Sequence, residues 1–403
     1  MEYVVESARN IEVMSHYDVL VAGGGFAGIS AALAAAREGV KVCLLEREWL
    51  LGGLGTLGLV AIFLPLCDGK GHQVIAGIGE ELIRLAIDCG TEESHLPLPT
   101  AWLQRGTQEE RAKVRFQAQY NPWVFSLKVE RLLIEAGVDI RYGTLAVQVS
   151  LEYDKITNVI AEDKGGRFAL AANAVIDATG DADICKLAHV PVAHFTPGNV
   201  LAAWHYSDTA QGRRLKTLGF SDTPDKYKKG NEEQPLTAQR FSGLDGAELS
   251  EMVIRSHEVI LNHIDKERMQ DNSYTIASLP MIPQIRMTRR LVGKMTLHDM
   301  PAFQRFEDSI GMTGDWRKCG PIYEIPFGTL CSDTVKNLLV AGRCISVTDD
   351  MWDITRAIPT CTVTGQAAGI AAALMRDNST IVLSELQRRL HQQNAILHLE
   401  EMT

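Results

Sequence analysis

The amino-acid sequence predicts an α/β fold: a parallel-sheet domain, residues 1–189 and 331–403, split by an inserted α+β domain, residues 190–330. Three observations predict it. Residues 17–46 run from an apolar stretch through a glycine turn and an alanine-rich stretch to a second apolar stretch, the order strand, turn, helix, strand. After about residue 190 that rhythm gives way to polar loops and isolated elements. It returns at residues 337–342, followed by a second alanine-rich helix within 356–369. A chain of 403 residues is long enough for two such domains.

The first unit carries most of the meaning. A strand over 17–22 meets Gly23, Gly24, Gly25, Phe26, Ala27 and Gly28, and a helix over 29–38 follows. Gly23 lets the chain turn sharply out of the strand, Gly25 lets a pyrophosphate approach the backbone, and Gly28 lets the helix lie close to the sheet. The helix N-terminus adds the positive end of its dipole. Glu46 closes the second strand, 40–46, where a carboxylate accepts hydrogen bonds from ribose hydroxyls. The unit is a Rossmann-like dinucleotide-binding element. A second glycine run, 53–58, lies too close to Glu46 to begin another such unit; it reads either as a plain glycine loop or as a loop lying along the cofactor.

Further along, a helical pattern over 122–136 ends at Gly137, and short strands are expected at 139–142, 145–151, 156–161, 167–170 and 174–178. Thr179, Gly180, Asp181, Ala182 and Asp183 follow the last of these, at a strand end where parallel-sheet ligands sit. Asp181 there orients ribityl or ribose hydroxyls, caps the next helix, or does both. In the insert, residues 230–235 read as a loop, 248–263 as a helix and 285–292 as a basic strand; the tail from Leu383 reads as a surface helix.

Composition narrows the partners. Forty Lys and Arg against fifty Asp and Glu leave a net charge of −10, which argues against nucleic acid. Eight cysteines with no CxxC spacing, and eleven histidines with no HExxH, argue against a metal or iron–sulfur site. No basic-then-apolar leader and no apolar run of bilayer length is present, so a cytoplasmic protein without a membrane partner is expected.

Six segments resemble the FAD-dependent oxidoreductases of the glutathione-reductase-like superfamily, and within it the fumarate-reductase-like flavoproteins: 18–28, 51–56, 176–183, 286–293, 339–346 and 356–369. The resemblance spans nearly the whole chain. It implies an FAD cradled by the N- and C-terminal segments, under an inserted substrate domain. Carried onto this sequence, the cofactor residues it implies are Gly23, Gly25, Phe26, Ala27, Gly28, Glu46, Arg47, Gly53, Thr56, Val147, Thr179, Gly180, Asp181, Gly342, Arg343, Arg356, Thr362 and Gly365, with Arg343 and Arg356 flanking the flavin site to hold either its phosphates or the substrate. The helix from about residue 359 would aim backbone N–H groups at the flavin pyrimidine and stabilise the charge of its reduced form.

The expected activity is hydride transfer between a small organic substrate, with an anion as one candidate, and flavin N5, with the electron donor or acceptor left open. A flavin monooxygenase or a noncatalytic electron-relay subunit fits the same motifs. Arg286 and Arg290 fall on one face of the basic run and Arg289 on the other. That face reads as a carboxylate clamp or proton donor, or as a salt-bridged strand. His205, between Trp204 and Tyr206, reads as an acid–base group or as a structural histidine.

Overall fold

The computed structural model describes residues 2–92, 96–219, 235–298, 301–375 and 381–403. The first half of the chain runs Val13–Ala22 (β1), Phe26–Arg37 (α1), Val42–Leu45 (β2), Ile62–Phe63 (β3), Ile78–Asp88 (α2), Thr100–Leu103 (α3), Gln108–Arg111 (α4), Ala118–Gln119 (β4) and Pro122–Glu135 (α5). Asp139–Arg141 (β5), Leu145–Glu152 (β6), Lys155–Asp163 (β7), Gly166–Asp177 (β8), Asp183–Leu187 (α6) and Val192–His194 (β9) follow. The insert supplies Ala202–Thr209 (β10), Gly212–Gly219 (β11), Gly246–Arg268 (α7), Thr275–Ser278 (β12) and Arg289–Leu291 (β13). Ser309–Gly314 (β14), Ile322–Pro326 (β15), Leu338–Val340 (β16), Asp349–Thr355 (α8), Ile358–Leu374 (α9) and Leu383–Gln392 (α10) complete the chain.

The main sheet has the order β5-β2-β1-β8-β7-β6, with β16 also paired to β8. β5, β2, β1, β8 and β16 run parallel, while β6 and β7 form an antiparallel meander onto β8. The sheet is therefore Rossmann-like on one side only. Two strands expected at 167–170 and 174–178 are one: residues 166–171 pair with β7, 175–177 pair with β16, and β1 runs beside almost the whole length. The intervening residues stay extended, with Ala171 and Ala172 paired to β1, so the strand changes partner without breaking.

Two alanine-rich helices pack together beside this sheet. A Cβ on Gly365 would lie 2.2 Å from the Ala27 carbonyl oxygen, and one on Gly369 2.2 Å from that of Ala31. Only glycine permits that approach, and the matching steps of four show that α1 and α9 run parallel.

The insert's own apolar clusters gather Leu201, Phe241, Met252 and Ile285 in one group and Ala203, Ile260, Ile264 and Tyr274 in another. They form beneath α7, whose Met252, Ser256, Ile260 and Ile264 recur every four residues on its buried face. Asp245 caps that helix by accepting from the Glu248 N–H at 2.9 Å. Met287, Leu291, Ile310, Met312, Ile322 and Ile325 belong instead to the main core. The loop expected at 230–235 lies outside the described residues except for Pro235. Leu386 and Leu390 of α10 are fully buried, so the C-terminal helix is docked on one face. Among the described residues no single helix is long and apolar enough to cross a bilayer.

Candidate active site

A cleft of about 1300 Å³, including the solvent at its mouth, opens across the carboxyl ends of β2, β1, β8 and β16. At about 4.8 Å per strand spacing, β2 and β16 stand roughly 14 Å apart, so a ligand spanning them is extended. β1 leaves the sheet at Gly23, whose φ is 102° and where a Cβ would lie 2.5 Å from the Ala178 oxygen, so no side chain fits. Gly28 folds back on that turn: a Cβ there would lie 1.8 Å from the Gly23 oxygen. Gly25 differs, because a Cβ on it would meet no protein atom within 4 Å. Its space opens into the cleft, at the N-cap of a helix that no side chain caps. Backbone N–H groups at the start of α1 thus face a cradle that fits a pyrophosphate.

Glu46 marks one end of the cleft. Its buried carboxylate accepts from the Gly24 N–H and the Glu48 N–H, each at 2.8 Å, one on each oxygen. Burial pushes this carboxyl up, and the two backbone donors pull it back toward the charged form. Each oxygen keeps acceptor capacity, which suits ribose hydroxyls.

The other end is set by α9. Ala357, Ile358 and Cys361 line the cleft, and no side chain caps this helix either. Gly365 is the eighth residue of α9 and its contact Ala27 the second of α1, so α9 begins about six residues, roughly 9 Å, beyond the start of α1. Two helix N-termini therefore face one cleft at staggered depths, one suited to a diphosphate and one to a second electron-rich group farther along. The loop of residues 52–55 lies along the same wall, tied to the glycine turn by Gly52 N–H to Gly24 O at 2.8 Å.

A family model for FAD dependent oxidoreductases matches residues 18–200 and 193–393. The chain belongs to that family. FAD is its cofactor, and the cradle at Gly25, the carboxylate at Glu46 and the staggered helix ends fit it. Among solved structures, a geranylgeranyl bacteriochlorophyll reductase-like protein from Thermoplasma acidophilum is similar at 15% identity and TM-score 0.47, over 94% of this chain and 84% of that one. The p-nitrophenol 4-monooxygenase of Pseudomonas putida is similar at 13% identity and TM-score 0.45, over 94% and 83%.

In this FAD-dependent oxidoreductase, Gly23, Gly25, Phe26, Ala27, Glu46, Arg47, Gly53, Thr179, Gly180, Arg343 and Arg356 line the cleft. The remaining expected residues do not line it, and each has another task. Gly28 closes the turn, and Gly365 lets α9 touch α1. Gly342, at φ 81°, lies where a Cβ would be 2.7 Å from the Ala27 Cβ. Thr56 donates to the Leu51 oxygen at 2.6 Å and Thr362 to the Pro359 oxygen at 2.6 Å, so both hydroxyls serve the backbone. Val147 sits at a register shift between Ala146 and Gln148, and Leu145 and Ala146 take its place in the wall.

Asp181 neither caps a helix nor lines the cleft. The residue before α6 is Ala182, at φ 53°, and no side chain caps it. The Asp181 carboxylate instead accepts from the Thr288 hydroxyl at 2.7 Å and from Arg343 at 3.2 Å. The carboxylate that this segment brings to the cleft is Asp183, which sequence reasoning passed over although it is the second acid of the same segment. Burial pushes Asp183 up to about 6, Asp181 and Asp177 add to the shift, and Arg289, 2.5 Å away, opposes it.

The basic run is a strand only at β13, and its arginines diverge. Arg286 is buried in the cleft wall with its guanidinium 5.3 Å from the Trp204 ring centre. Arg290 does not share that face: it pairs with Asp349 at 3.0 Å and lies 4.7 Å over Trp352, against α8. Strand alternation fails because the backbone of residues 285–287 is held by side chains rather than by a ladder. His205 is wholly buried and outside the cleft, 3.3 Å from the Ala203 oxygen and the Tyr274 hydroxyl and edge-on to His263. Its position is that of a structural histidine.

Proposed function

We propose that this oxidoreductase transfers a hydride between a small organic anion and FAD, with Arg286 as the residue that holds the anion. The observation that carries the reading is Arg286, buried in the cleft wall on a segment of the insert that Asp181 and Arg343 of the FAD-binding domain hold. Bound FAD supplies the hydride acceptor or donor. The chain supplies position and electrostatics. The start of α1 holds the diphosphate, Glu46 takes ribose hydroxyls, and the start of α9 offers a positive end to the flavin pyrimidine. Val60, Ile62 and Leu64 form an apolar stretch of wall that limits water. Arg286 orients a carboxylate through its planar fork, placing the carbon that gives or takes the hydride. Seven of the eight cysteines are buried thiols packed as small apolar groups, which supports a cytoplasmic setting.

Anaerobic titration of the FAD-loaded protein with organic acids, sugars and reduced or oxidised nicotinamides, read as bleaching or recovery of the flavin band, tests this. An organic acid that changes the flavin's redox state in the wild type, and at least tenfold more slowly in Arg286→Gln, is the expected result. No response to any of them, with rapid oxygen consumption by the chemically reduced protein and a hydroxylated product, would establish a monooxygenase instead.

A further inference from the structure

The sequence places Arg343 at the flavin phosphates or the substrate, and it lines the cleft, yet two of its hydrogen bonds run to the insert. Nη1 donates to the carbonyl oxygens of Ile285 and Arg286, each at 2.9 Å, and Nη2 donates to Asp181 at 3.2 Å. Asp181 in turn accepts from Thr288 at 2.7 Å, so the carboxylate and the arginine together hold residues 285–288. From the other side, the Asn199 side-chain oxygen accepts from the Arg286 and Met287 N–H groups at 3.1 and 3.0 Å. Both the N–H and the C=O of Arg286 are therefore gripped by side chains, outside any strand.

Gly180 makes the grip possible. A Cβ there would lie 2.4 Å from Arg343 Nη2 and 2.8 Å from Nε, so glycine is what lets the guanidinium cross the end of β8. A lysine in place of Arg343 would keep one charge but not the fork that reaches two carbonyls and a carboxylate at once.

We propose that Arg343, with Asp181 and Asn199, is a positioning set for Arg286: it fixes the anion-holding guanidinium of the insert against the FAD-binding domain. Resting on the reading of Arg286 given above, it assigns Arg343 to substrate alignment and not to cofactor retention. Three carboxylates, acetate, benzoate and succinate, serve as probes, titrated into FAD-loaded protein and read by perturbation of the flavin absorbance. Arg286→Gln and Arg343→Gln should each weaken probe binding about tenfold or more, and the double variant should be no weaker than the worse single one, because both changes remove the same contact. Arg343→Gln should retain FAD within about twofold, and Arg343→Lys should stay impaired for the probes.

FAD affinity lost in Arg343→Gln and restored in Arg343→Lys would overturn the assignment and return Arg343 to the cofactor. Fully additive losses in the double variant, or unchanged probe binding in Arg343→Gln, would overturn it equally. A wild-type protein that binds none of the probes but is reduced by a neutral substrate would refute the anion role of Arg286 and this proposal with it, while leaving hydride transfer standing.

Discussion

At the scale of single residues, Glu46 has a defined environment: two backbone donors inside a buried site and a side open to the cleft. Glu46→Ala should weaken FAD retention by about 1.5–3 kcal/mol, the range for hydrogen bonds to a charged group. The dissociation constant of the apoprotein for FAD measures this, and a change within about 0.5 kcal/mol would leave Glu46 a strand-end residue only. His205 and His263 supply a pH effect. Burial pushes both imidazoles down, and their rings lie 5.5 Å apart between centres. The unfolded chain, with histidines near about 6.5, binds more protons than the folded one just below that pH. Stability should therefore fall as pH drops through about 6.5 toward the folded values, and His205→Gln should flatten the slope of thermal midpoint against pH. An unaltered slope would contradict the account. Residue types at strand ends were legible in the sequence, as Glu46 and Gly25 show. The direction of a side chain was not: Asp181 and Asp183 are two positions apart, with the left-handed Ala182 between them, and Thr288 and Arg343, remote in sequence, hold the first while the second lines the cleft.

At the scale of elements, the contact of α1 with α9 sets the stagger between the two helix ends. Gly369→Ala would put a Cβ 2.2 Å from a backbone carbonyl and force the helices apart, at a cost of about 1–3 kcal/mol. Chemical denaturation should show that loss, together with weaker FAD binding as the helix ends shift. Gly246→Ala, at the start of α7 with nothing within 4 Å, is the control and should be neutral or slightly stabilising. Unchanged or raised stability in Gly369→Ala, as helix propensity alone would give, would show that the contact of α1 with α9 does not require glycine there. Periodicity revealed α1, α5, α7 and α9 because each buries a face or a whole surface against a continuous core. It failed at residues 285–287, where Asn199 and Arg343, remote in sequence, supply the hydrogen bonds that an adjacent strand would otherwise give.

At the scale of the whole molecule, the site exists only because residues 337–374 return, after the insert, to the sheet begun at residue 13. β16 pairs with β8, and α9 lies on α1, so the two ends of the chain close one cleft. That return was legible from two alanine-rich helices, each following an apolar strand and a glycine. The insert's share of the core was not, since residues 287–325 contribute to the main core without any βα rhythm to announce it. The most direct measurement of the central claim, that FAD lies across the staggered helix ends with its diphosphate at Gly25, is the flavin content of purified wild-type and Gly25→Val protein. Gly25 has φ −71°, which valine tolerates, and its Cβ would touch no protein atom, so the variant should fold. The account predicts one FAD released per wild-type chain on denaturation and none from a folded Gly25→Val chain; equal FAD content in both would contradict it.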